Sequence, residues 1–80
     1  MPANRAAPVP VNARGMKCPW PALRAARAMR SADAIIIEAD DPIAPVELEA
    51  LARQQGWSFE AMDGGRFWLA RLRADGVGTP

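Results

Sequence analysis

Cys18 is the only cysteine in the 80-residue chain. It stands in the run Arg14-Gly15-Met16-Lys17-Cys18-Pro19-Trp20-Pro21, with basic residues before it and two prolines after it. Proline is tolerated in the first turn of a helix, where the amide has no intrahelical partner, so Pro19 and Pro21 both read as helix openers. Cys18 then falls at or next to the N-cap, at the positive end of the helix dipole, with Arg14, Lys17 and Arg24 close in sequence. Both influences favour thiolate over thiol, and the expectation is an exposed, nucleophilic sulfur with a pKa below that of free cysteine. The plain alternative is a structural cysteine acting as a small buried hydrophobe. Against it stands the junction itself, where backbone and cationic side chains need water.

What the chain lacks narrows what such a sulfur can do. There is no histidine, which removes the Cys-His pair, the Ser-His-acid triad and zinc sites built on imidazole. With a single cysteine there is neither an internal disulfide nor a resolving thiol, and Pro21 stands where a Cys-x-x-Cys centre needs its second cysteine. A hydrolase would have to recruit an Asp or Glu as its base. Sulfur carriage asks for less: one exposed thiol that takes a terminal sulfur as a persulfide and releases it to another protein's thiol, the rest of the chemistry being the partners'.

The elements that must position this thiol follow from periodicity. Residues 1–10 carry three prolines and small residues and read as a flexible lead-in; residues 74–80 read as a flexible tail. Between them, residues 11–73 form one domain. A short strand is expected at residues 11–14 and a helix at 19–30, with Ala22, Leu23, Ala26 and Met29 on its apolar side and Arg24, Arg27 and Arg30 on another. The β-branched run 34–39 reads as a buried strand, ended by Asp40-Asp41-Pro42. A second helix starts near Pro45, carries Glu47 and Glu49 toward its N-terminal half, docks through Leu48, Leu51 and Ala52, and stops at Gly56. Residues 57–62 and 66–73 alternate with period two around Asp63-Gly64-Gly65, a hairpin signature. On the last strand Trp68, Ala70 and Leu72 are expected to face the core, and Trp57 is expected there too. The order βαβαββ gives an α+β two-layer sandwich, two helices on one face of a four-stranded mixed sheet.

The run from Arg14 to Pro21 resembles the Arg-Gly-Leu-x-Cys-Pro-x-Pro signature of the TusA/SirA-like sulfur carriers. Asp40-Asp41-Pro42 is similar to that family's Asp-Asp-Pro loop, Gly56 to its helix stop, and the element order to its compact fold. Trp20 takes the variable place between Cys18 and Pro21, and Asn12 stands where the family often has Asp. The resemblance implies that Cys18 carries a persulfide, received from a donor such as a cysteine desulfurase or a rhodanese. It further implies delivery to an acceptor protein, in tRNA thiolation, sulfur oxidation or cofactor maturation. Arg14, Gly15, Lys17, Pro19, Trp20 and Pro21 would then shape the site, with no cofactor or metal.

Partner docking falls to Arg24, Arg27 and Arg30, at spacing i, i+3, i+6, and to Asp40 and Asp41. The bland reading makes the arginines a solvated face and the aspartates a strand stop and helix approach. Two adjacent carboxylates without a third ligand are a poor metal site. With ten basic and nine acidic residues the net charge is +1, so no global field attracts nucleic acid, and three arginines without an aromatic platform do not argue for it. No segment has signal-peptide or membrane-spanning character, and a cytoplasmic monomer without membrane contact is expected. The rival function is a non-catalytic interaction module that binds RNA or a regulatory protein through the arginine stripe.

Overall fold

The structure, a computed structural model, describes residues 8–71. The expected tail at 74–80, most of the expected lead-in, and Leu72 and Arg73 lie outside the described residues. The elements run β1 (Val9–Asn12), α1 (Trp20–Ala28), β2 (Ala34–Glu38), α2 (Ala44–Gln55), β3 (Trp57–Met62) and β4 (Arg66–Arg71). They form a four-stranded sheet of order β1-β2-β4-β3, parallel between β1 and β2 and antiparallel elsewhere. Both helices pack on one face of this mixed open sheet, the two-layer arrangement read from the sequence.

The core lies between the layers. Ile35 and Ile37 of β2, Phe67 and Leu69 of β4, Leu48 of α2 and Met29 just past α1 are buried. The last strand is turned the other way from the expectation. Register pairs Leu69 with Ile35 and Phe67 with Ile37, so these four point at the helices. Trp68, paired with Ile36, and Ala70 stand half-buried on the uncovered face. Alternation defines two faces, and here both carry large apolar groups. Which one is covered depends on where the helices lie. Trp57 lies partly buried against the core with the Arg71 guanidinium over its ring at 5.9 Å.

Three further expectations shift. The first strand covers Val9–Asn12 instead of 11–14, so Val9 and Pro10 belong to the sheet. Helix α1 ends at Ala28, and the i to i+3 hydrogen bonds from Arg30 to Arg27 and from Ser31 to Ala28 tighten into a turn. Its buried stripe is Pro21, Ala25 and Met29, while Leu23 is 51% exposed. Pro21, Ala22, Leu23, Ala25, Ala26, Ala28 and Met29 make one broad apolar arc opposite Arg24 and Arg27, and within it the periodicity does not mark which line is buried. Helix α2 opens one residue earlier than read and closes on Gly56 in the left-handed conformation.

Candidate functional site

Cys18 lies in the loop from β1 to α1, one residue before the N-cap Pro19, with a proline in the first helical turn. The Cys18–Pro19 peptide bond is cis. The loop is held by the carboxylates that follow β2. Gly15 donates its N–H to both Asp40 oxygens at 3.0 and 3.2 Å, and at a φ of 82° it occupies the conformation glycine tolerates best. Cys18 donates its own N–H to Asp41 Oδ2 at 2.6 Å, while Asp41 Oδ1 accepts from the Ile43 N–H two residues on, an Asx turn that leads into α2. Asp40 and Asp41 are therefore the clamp of the cysteine loop, a role not anticipated for either. Both Asp41 bonds, that from Ile43 first, hold its carboxyl below the ordinary 3.8, and the Lys17 charge adds to this.

Arg14 does not serve the thiol. Its Nε donates to Glu38 Oε1 at 3.0 Å and its Nη2 to the Gly64 carbonyl at 2.7 Å, which ties the loop to the end of β2 and to the hairpin turn. Its N–H is accepted by Asn12 Oδ1 at 3.0 Å, so the asparagine keeps an acceptor oxygen at that place. Trp20, 59% exposed, and Leu23 line a shallow groove of ≈ 260 Å³ with Met16, Arg24 and Arg27. Arg30, beyond the helix end, is not among the residues that line it. Arg24 and Arg27 thus stand beside exposed apolar residues, and Arg30 is exposed past the helix end. Pro21 is buried and anchors the helix start in the core.

The residue missed altogether is Glu47. From the first turn of α2 it reaches across to Cys18, with Sγ 2.6 Å from Oε2. Its other oxygen, Oε1, is buried and has no hydrogen-bond partner among the described residues. A contact between positions 29 apart leaves no local pattern, and in the sequence Glu47 was merely a carboxylate near a helix start.

Glu47 reverses the expected electrostatics. The Cys18 thiol is exposed, yet its pKa is raised above the ordinary 9.0, first by the hydrogen bond to Glu47, then by desolvation and by the negative charges of Glu47 and Asp41. A depressed pKa was expected from Arg14, Lys17, Arg24 and the helix dipole. Arg14 is committed to Glu38 and Gly64, Lys17 acts on Asp41, and Arg24 lines the neighbouring groove. A thiol with a raised pKa is protonated through neutral pH and becomes thiolate only as pH climbs past the free-cysteine range. A pH series of iodoacetamide alkylation should accordingly give a midpoint above that of a free cysteine peptide; a lower midpoint would mean that the Glu47 contact does not persist in solution.

Fold and site define a small α+β domain that presents one exposed thiol at a loop clamped by carboxylates. Residues 10–73 match the family described as sulfurtransferase TusA, and the chain belongs to that family. The fold is similar to that of a crystal structure of a SirA-like protein from Desulfitobacterium hafniense, with a TM-score of 0.66 and 20% identity, over 81% of this chain and 99% of that one. No individually curated protein matches the chain at a significant level. Among the described residues no helix is long and apolar enough to cross a membrane, and no group of three or more acidic, cysteine or histidine residues is placed to hold a metal ion.

Proposed function

We propose that the chain is a sulfur carrier in which Cys18 takes sulfane sulfur from a donor protein as a persulfide and passes it to the thiol of an acceptor protein. A cysteine desulfurase or a rhodanese is the fitting donor class. The observation that carries the reading is the exposed Cys18 sulfur on a loop whose backbone is fastened by Asp40 and Asp41, within a TusA-family domain. Fastening the loop holds the sulfur in one place without burying it. Carriage then needs little more, since donor and acceptor supply the remaining groups. Intact-mass measurement after incubation with a desulfurase and cysteine, or with thiosulfate and a sulfurtransferase, tests it. A single adduct of about 32 Da that a reductant removes is the expected result. Failure to load from any of these donors would overturn the reading.

Arg24 and Arg27 flank a groove beside the site, and charges at such a position act mainly on the rate of encounter with a partner. Reversing both to glutamate should slow transfer between proteins and weaken its salt dependence. Loading from small inorganic polysulfides should be unchanged. An equal fall in both reactions would assign the arginines to the sulfur chemistry instead of to docking.

A further inference from the structure

Two features of Glu47 are unexplained by loop geometry. Its carboxylate touches the reacting sulfur, Oε2 to Sγ at 2.6 Å, and its Oε1 is shut away from water with no partner among the described residues. An unsatisfied buried oxygen costs stability. The position in the first turn of α2 offsets part of this, because a helix N-terminus favours negative charge. A carboxylate is thus kept against a thiol although Asp40 and Asp41 already fasten the loop.

We propose that Glu47 sets how firmly Cys18 holds its cargo: its carboxylate accepts the Sγ–H of the empty carrier and repels the anionic sulfur chain of the loaded one, driving the sulfur toward the acceptor. The proposal rests on the sulfur-carrier reading above. A persulfide loses its proton more readily than a thiol, so the loaded site carries a negative charge where the empty site carries a neutral hydrogen-bond donor. The exchange is Cys18–S–S⁻ + R–SH → Cys18–SH + R–S–S⁻. The acceptor sulfur bonds to the terminal sulfur, the Sγ–S bond breaks with its electron pair on Sγ, and the acceptor's proton ends on Sγ, where Glu47 holds it. One sulfane sulfur moves and nothing is oxidised or reduced overall.

The other charged groups at this place do not reproduce the effect. Asp41, in the loop before α2, adds negative charge, but its oxygens are occupied by the Cys18 and Ile43 N–H groups. Lys17, next to the thiol in sequence, acts on Asp41. Arg24 of α1 lines the groove with Trp20. Of the carboxylates, Glu47 accepts the thiol hydrogen bond.

The test uses the full chain loaded with sodium polysulfide and equilibrated at neutral pH with excess L-cysteine, the loaded fraction being read by intact mass. Two unit charges a few ångström apart in water differ from a charge beside a neutral group by a factor of roughly five. Glu47→Gln should therefore retain sulfur roughly fivefold more firmly than wild type, while Glu47→Asp, which keeps the charge, should stay near wild type. Alkylation of unloaded Glu47→Gln should also show its midpoint at lower pH. If wild type loads and both variants partition as it does, or if both shift alike, the role of Glu47 is overturned and the carrier reading stands. If wild type takes up no sulfur at all, the carrier reading falls first and this proposal with it, whatever the alkylation profiles show.

Discussion

Cys18→Ser is expected to abolish sulfur uptake from every donor while leaving the melting curve where it was. The chemical half follows from composition, since no other thiol is present to take the sulfur. The structural half follows from exposure: Cys18 contributes nothing to the core, so its removal forfeits almost no burial energy. Serine offers a hydroxyl in place of the Sγ–H as a donor for Glu47. The loop is fastened through the Cys18 N–H, which the substitution does not touch. Intact mass and thermal denaturation on the same preparation check both halves. A melting point several degrees lower, with sulfur uptake absent in wild type as well, would return Cys18 to the role of a structural residue.

Leu69→Ala should be among the most costly single changes to stability. Leu69 is fully buried, pairs with Ile35 and faces the helices. Truncating a buried leucine costs roughly 2–5 kcal/mol, including the cavity left behind. In a domain of this size a loss of about 3 kcal/mol lowers Tm by roughly 12–24 °C. Its neighbour Trp68, larger but half-buried on the uncovered face, should cost less when changed to alanine. Thermal melts of the two variants side by side decide the matter. A larger loss for Trp68→Ala would show that in solution something covers the outer face of the sheet.

Element types and order were legible because each rests on a local signal: the prolines at 19 and 21, the isoleucine run at 35–37, Gly56, and the glycines at 64 and 65. The cysteine loop was legible for the same reason, its residues being contiguous. What stayed hidden depends on which surfaces meet. The inward face of β4 could not be chosen from alternation, since Trp68 and Leu69 are both large and apolar and the layer of helices decides between them. The buried stripe of α1 lies inside a broad apolar arc of alanines with Pro21, Leu23 and Met29, and nothing in the spacing singles it out. The thiol's acidity does not follow from the charges near Cys18 in sequence. Arg14 turns away to Glu38 and Gly64, and Glu47 arrives from the next helix. Asp40 and Asp41 read from the sequence as docking residues or as a strand stop and helix approach, and their hydrogen bonds to Gly15 and Cys18 cross a gap that no short motif spans.

The hairpin turn beneath the site bears on how the protein can be engineered. Exposed turns are the usual places to splice in an epitope or a fluorescent reporter. Here the Gly64 carbonyl receives the Arg14 guanidinium and the Gly65 carbonyl receives the Ala39 N–H. A Cβ at Gly65 would come within 2.9 Å of the Ala39 carbonyl oxygen, at a φ of 73° that side chains resist. Through Arg14 at one end of the loop and Ala39, Asp40 and Asp41 along the other, this turn is part of the footing on which the thiol stands. A reporter inserted there would perturb the chemistry it was meant to follow, whereas the outward side of α2 around Ala50 and Gln54, exposed and away from these bonds, offers a neutral point of attachment.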